Sequence, residues 1–300
     1  MTELRFERSF RSWCGESGIE WRTFRYPRPD AGGETQAHRI IPPAAPTGGV
    51  LVVHGAGNDA LFSLTGIFAE LLTRGFELFT FDVDGHGRDS TTRLSAESAA
   101  SAIPAALQAW GEAPGDRPLH ALGISLGGSL LLHALPALAS RLASATLICA
   151  PLHIELGWRP IAREIGPPML RTLWRERSRF GLTGLIPSFG PFRRDLYPLR
   201  LAGEPGPGPF GYVEVLNSIL DRLDLVAASR STRTPVLLAY GGRDLLVPPG
   251  QAQRLAELLP APELLLLRHE THLSTPLAPT TRERLLRWMT QHHPVKPSAP

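Results

Sequence analysis

The sequence predicts an α/β protein with a mostly parallel, doubly wound sheet and an inserted helical cap. Three observations carry that prediction. Val50, Leu51, Val52 and Val53 form a continuous apolar run that stops at His54-Gly55-Ala56-Gly57-Asn58, the pattern of a strand buried on both faces of a parallel sheet. Strand-like and helix-like segments then alternate to residue 150, a βαβ rhythm whose crossovers place helices on both faces. The rhythm lapses over 151–231 and returns over 232–292.

The elements follow in order. Residues 4–10 and 19–26 read as short strands around a turn at 15–18, giving an antiparallel entry to the sheet, and Pro and Gly punctuate 27–33 and 42–49. After the apolar run come a helix over 61–73, a strand over 76–81, a helix over 96–110, a strand over 119–123, a helix over 126–138 and a strand over 145–150. The stretch Gly203-Glu204-Pro205-Gly206-Pro207-Gly208-Pro209 reads as irregular, because proline removes backbone donors and glycine favours no single conformation. A strand over 235–240, a helix over 251–259, a strand over 263–268 and a helix over 280–291 complete the pattern. The domain reading is one core built from 1–150 and 232–292, a cap over 151–231 and a flexible tail over 293–300.

Composition narrows the function classes. With 43% hydrophobic and 20% charged residues in 300, the chain is expected to fold as a soluble globule, and no run of about 18 apolar residues spans a bilayer. Two cysteines, Cys14 and Cys149, exclude a disulfide framework or a cysteine-rich zinc site and read as plain thiols. The first ten residues carry Glu3, Arg5, Glu7 and Arg8 where a secretory signal is apolar, so a cytoplasmic location is expected. The formal net charge is only +3 and Lys296 is the sole lysine. No nucleic-acid reader motif accompanies the arginines, so nucleic acid is not expected as a partner.

The strongest motif is Gly123-Ile124-Ser125-Leu126-Gly127-Gly128, placed where an apolar strand meets an amphipathic helix. Glycines two residues either side of Ser125 let strand and helix approach closely, so the hydroxyl projects above the sheet as a nucleophile. The bland alternative is a serine that caps the helix. A serine needs a base oriented by a carboxylate. Gly241-Gly242-Arg243-Asp244 follows the strand over 235–240, and His269-Glu270-Thr271-His272 follows the strand over 263–268. Asp244 and His272 are the expected acid and base, with Glu155 and His269 as rivals. No metal is expected, because His269, Glu270 and His272 lack the i, i+4 spacing of a zinc helix. No cofactor is expected either. Donors for an oxyanion would come from the amides of Leu126, at a helix start, and Ala56, in the glycine loop. His54 and Gly55 of that loop are assigned to substrate binding. In Asp82-Val83-Asp84-Gly85-His86-Gly87, Asp82 and His86 read as braces of a tight turn rather than as ligands or catalysts.

Taken together, His54-Gly55-Ala56-Gly57, Asp84-Gly85-His86-Gly87, Gly123-Ile124-Ser125-Leu126-Gly127-Gly128, Gly242-Arg243-Asp244 and His272 resemble the α/β-hydrolase superfamily over residues 50–150 and 232–292. Within it the chain resembles the serine branch that includes monoacylglycerol lipases, lysophospholipase-like esterases and related carboxylesterases. That resemblance implies the α/β-hydrolase fold, Ser125, Asp244 and His272 as a triad, and Ala56 and Leu126 as the oxyanion hole. Ile124 departs from the histidine frequent there in lipase-like members.

Residues 159–200 carry nine arginines against Glu164, Glu176 and Asp195. Such a cap reads as a helix packed on the core with a solvated basic face, or as a surface for transient contact with an anionic membrane or an acidic acyl carrier. Phe180, Leu185 and Phe189 are assigned to an acyl pocket. The expected activity is cleavage of small or lipid-like acyl esters through an acyl-enzyme. Thioester cleavage or acyl transfer would use the same machinery, and a non-catalytic ligand-binding protein is the reading from another class.

Overall fold

The computed structural model describes residues 5–62, 64–111, 117–155, 199–203 and 208–293. Helix α1 (Arg5–Glu16) leads into β1 (Glu20–Arg28), a 3₁₀ turn and β2 (Gly33–Ile41). The alternating part follows as β3 (Gly48–Val53), α2 (Thr65–Thr73), β4 (Phe76–Phe81), α3 (Ala96–Trp110), β5 (Leu119–Ile124), α4 (Leu126–Leu138) and β6 (Ser144–Ile148). The last part of the segment assigned to the cap holds α5 (Gly208–Arg222) and α6 (Leu225–Ser231), and β7 (Val236–Gly241), α7 (Pro249–Leu258), β8 (Glu263–Leu267) and α8 (Pro279–Gln291) follow.

Among the described residues, eight strands form one sheet in the order β1-β2-β4-β3-β5-β6-β7-β8. The β1–β2 and β2–β4 pairings are antiparallel, and every other pairing is parallel. Every residue of β3, β4, β5, β6 and β7 is buried, which is why these strands read as apolar runs without alternation. Successive side chains point to opposite faces. Leu51 and Val53 therefore join the core beneath α3 and α4, whereas Val50 and Val52 pack with residues of α1, α2 and α8.

Three sequence expectations are corrected. The segment over 4–10 is helical from Arg5, because Phe6, Phe10 and Cys14, four residues apart, are all buried; the helical period prevails over a short alternation. The antiparallel partner of β1 is β2, which the punctuation over 27–33 concealed. Gly208 and Pro209 lie in α5, since the missing N–H of a proline costs nothing in a first helical turn.

Leu216, Ile219, Leu220 and Leu223 of α5 and its exit, with Leu225 of α6, share the core cluster of α3 and α4, so these residues pack with the core. The basic segment up to residue 198, with Phe180, Leu185 and Phe189, lies outside the described residues. No helix among the described residues is long and apolar enough to cross a membrane.

Candidate active site

Three parallel strands deliver three polar side chains to one end of the sheet. Ser125 follows β5 at once and has φ 50 and ψ −123, a left-handed backbone for a non-glycine residue. Its N–H donates to the Ile148 carbonyl at 2.8 Å and its carbonyl accepts from the Gly128 N–H at 2.8 Å, so both flanks of the bend are tied down. The glycines are sterically required. A Cβ on Gly127 would lie 2.3 Å from the Val53 carbonyl oxygen, and one on Gly123 2.6 Å from the Gly127 oxygen.

Asp244 is fully buried in the turn after β7. Its Oδ1 accepts from the N–H groups of Leu246 and Val247 at 2.9 and 2.8 Å, and Oδ2 lies 2.8 Å from His272 Nδ1. A carboxylate that only accepts makes Nδ1 the protonated nitrogen of His272. Nε2 is left as an acceptor, 2.9 Å from Ser125 Oγ. The loop carrying His272 is set by Thr271 and Ser274, whose N–H and Oγ bond at 2.8 Å. Burial pulls the imidazole pKa down, but the charge and hydrogen bond of Asp244 outweigh it and hold His272 well above its ordinary value. Neither rival is brought here: His269 and Glu155 are exposed, and the Glu155 N–H donates to the Leu246 carbonyl.

The loop after β3 lies against the serine. A Cβ on Gly55 would stand 3.0 Å from Ser125 Cβ, so only glycine brings this backbone so close. Ala56 follows and is partly exposed, while Leu126 opens α4, where a first-turn N–H has no partner within the helix. His54 is corrected: its Nε2 accepts from the Val83 N–H at 2.8 Å and its Nδ1 lies 2.8 Å from the Gly55 carbonyl. Both ring nitrogens thus brace the loop, and neither remains for a substrate. Burial lowers the His54 pKa to about 4, which keeps the ring neutral for this role.

The turn after β4 supports the same loop. Asp82 accepts from the Ala60 N–H at 3.0 Å and the Ser90 hydroxyl at 2.8 Å. Asp84 and Arg28 form a buried ion pair at 2.5 Å. The His86 ring meets His54 edge-on, with centroids 5.3 Å apart. Arg200, at the end of the basic segment, donates to the carbonyls of His86, Gly87, Ser90 and Thr92. Arg28 and Arg200 carried no sequence motif; Arg28 is revealed by its burial and Arg200 by its bonds to backbone carbonyls.

Among the described residues, one group sets metal-ligand atoms close together: Cys149, Asp244 and His272, within 4.8 Å of one another and all buried. Sequence reasoning passed over Cys149 as a plain thiol. The signal that could have found it is its place directly after the strand neighbouring β5.

The fold and the strand-end site define an α/β hydrolase, and the comparisons agree. The family model described as "Alpha/beta hydrolase family" matches residues 50–283, and the chain belongs to that family. It is 31% identical over 223 residues to a pimeloyl-[acyl-carrier protein] methyl ester esterase of Stenotrophomonas maltophilia, covering 69% of this chain and 81% of the relative. The enzyme of the same name from Xanthomonas oryzae pv. oryzae is 29% identical over 220 residues, covering 69% and 83%. Among solved structures, a thermophilic esterase from Thermogutta terrifontis matches with TM-score 0.61 and 17% identity over 91% of this chain and 100% of that one. A monoacylglycerol lipase from Paleococcus ferrophilus matches with TM-score 0.58 and 17% identity over 91% and 99%. These two show the shared fold.

Proposed function

We propose that this protein is a serine hydrolase that cleaves carboxylic esters through an acyl-enzyme. One observation carries the reading: hydroxyl, imidazole and carboxylate stand in hydrogen-bonded series at 2.9 and 2.8 Å at the carboxyl ends of parallel strands, where ligands of such sheets bind. His272 Nε2 takes the Ser125 proton as Oγ bonds to the ester carbonyl carbon. The carbonyl oxygen becomes an oxyanion facing the amides of Ala56 and Leu126. The imidazolium, steadied by Asp244, returns the proton to the departing alkoxide. Water then repeats the sequence on the acyl-enzyme, releasing the acid and restoring Ser125.

The esterase relatives support a small ester as substrate, and they are named for a pimeloyl-[acyl-carrier protein] methyl ester. Leaving aside Arg200, which braces the turn after β4, eight arginines over 159–194 suit attraction of an acidic carrier, which is our reading of the basic segment within the cap. A carrier-linked methyl ester should then lose kcat/KM with rising salt faster than a neutral p-nitrophenyl ester does.

The decisive test compares p-nitrophenyl ester turnover by the wild type and Ser125→Ala, with fluorophosphonate labelling mapped to the peptide. Loss on the order of 10⁴-fold or more, with label on Ser125, is expected. Equal rates, or label elsewhere, would overturn the proposal.

A further inference from the structure

We propose that Arg200 is a positioning residue for the loop over 54–62, which carries the oxyanion donor Ala56. The inference rests on the serine-hydrolase reading above and concerns the same site. Arg200 Nη2 lies 2.9, 2.9 and 2.5 Å from the carbonyl oxygens of His86, Gly87 and Ser90 and shares its two N–H groups among them, while Nε donates to the Thr92 carbonyl at 3.2 Å. These four carbonyls accept no other hydrogen bond among the described residues, and all four residues are buried. A buried carbonyl is costly to leave without a donor. One guanidinium thus supplies what the turn over 85–92 cannot supply for itself.

The backbone on either side fixes where the guanidinium stands. The Arg200 N–H donates to the Gly85 carbonyl at 2.7 Å, and the Arg200 carbonyl accepts from the Leu94 N–H at 2.9 Å. Leu201 bridges Leu94 in parallel. A Cβ on Gly85 would lie 2.4 Å from the Arg200 carbonyl oxygen, so this approach requires the glycine. All the side-chain hydrogen bonds of Arg200 go to main-chain carbonyls of the one turn.

Two short routes lead from this turn to the loop, one to each side of Ala56. The Ser90 hydroxyl donates to Asp82 Oδ2 at 2.8 Å, and Asp82 Oδ1 accepts from the Ala60 N–H at 3.0 Å. On the other side the His86 ring, with Nδ1 3.2 Å from the Val83 carbonyl, meets the His54 ring edge-on, and His54 bonds both the Val83 N–H and the Gly55 carbonyl. Ala56 lies between the two points so held. Its own N–H makes no hydrogen bond among the described residues, so the direction of that amide is set by where Gly55 and Ala60 stand. Without Arg200 the four carbonyls find donors only if the turn shifts, and Ser90 and His86, which reach the loop, shift with it. An oxyanion donor works by being in place beforehand.

The test uses Arg200→Ala and Arg200→Lys in the full-length chain, with p-nitrophenyl ester kinetics on protein shown by circular dichroism to be folded. Lysine keeps the stem and the charge, so its variant guards against a failure to fold, but its ammonium is a point donor that cannot span four carbonyls. Both substitutions should lower kcat about ten- to a hundredfold, the effect of a misplaced oxyanion donor, with KM within about twofold. Millimolar guanidinium chloride should restore part of the alanine variant's kcat by taking the place of the lost side chain, whereas sodium chloride of equal ionic strength should not. A purely structural arginine would lower the denaturation midpoint and leave kcat of the folded variants at the wild-type value. That result, a loss carried by KM, or a kcat that guanidinium fails to raise would overturn the proposal. Full turnover by Ser125→Ala is the separate result that would defeat the underlying hydrolase reading.

Discussion

Ser125 and His272 are separated by 147 residues in the chain and by 2.9 Å in space, with Nε2 facing Oγ. The approach depends on Asp244, whose Oδ2 lies 2.8 Å from the other ring nitrogen and whose charge and hydrogen bond outweigh burial to hold the imidazole well above its ordinary pKa. A base must be neutral to accept a proton, so under the proposed mechanism activity should be lost as pH falls through that raised pKa.

The first prediction concerns this pair. The acid limb of wild-type kcat/KM should lie above the ordinary histidine value of about 6.5. Asp244→Asn should move the limb to lower pH, because the carboxylate charge that favours the imidazolium is gone. The plateau should fall about 10⁴-fold, since asparagine stabilises the wrong tautomer. Full pH profiles of both proteins test this; an unmoved limb would show that Asp244 does not govern His272.

A second prediction concerns the space behind the serine. Gly127→Ala would put a methyl group 2.3 Å from the Val53 carbonyl oxygen and 2.5 Å from that of His54. Both are backbone atoms at the start of the loop that carries Ala56. We expect a loss of about 1–3 kcal/mol in urea unfolding, typical of overpacking, together with reduced esterase activity. Gly250→Ala is the control, because nothing lies within 4 Å of its Cβ position and it sits in α7. Its stability should hold or rise by up to about 1 kcal/mol.

The third prediction addresses the ion pair of Arg28 and Asp84, whose side chains are 3% and 1% exposed. Arg28 also donates to the Ser98 and Ser101 carbonyls, joining β1 to α3 and to the turn that braces His54. Removing one partner leaves a buried charge unpaired, so Arg28→Ala should cost about 3–5 kcal/mol. The double substitution Arg28→Met with Asp84→Leu should cost less than Arg28→Ala alone. Chemical denaturation of the three proteins measures the difference; a double variant as weak as the single one would refute the charge argument.

Much of the candidate site is legible in the sequence. Ser125, Asp244 and His272 could be read because each follows an apolar strand, and the first two stand beside glycines whose absence of a side chain is itself a signal. His54 was misread, since a histidine beside a glycine loop looks the same in sequence whether its nitrogens face a ligand or bond Val83 and Gly55. Cys149 was passed over for the same reason. One letter at a strand end does not disclose a left-handed turn or a neighbour 123 residues away.

What the amino-acid order determined by itself is the parallel core and the placing of polar residues at the ends of its strands. These follow from local apolar runs and from glycines required by local crowding. What only the tertiary structure decided is which partners those residues meet. Asp244 reaches His272 in place of Glu155, His54 turns inward, Leu216 to Leu225 pack on α3 and α4 and Cys149 comes within 4.8 Å of Asp244 and His272. Such choices depend on register between strands and on which backbone groups remain unpaired after packing, quantities that exist only once distant segments share one sheet.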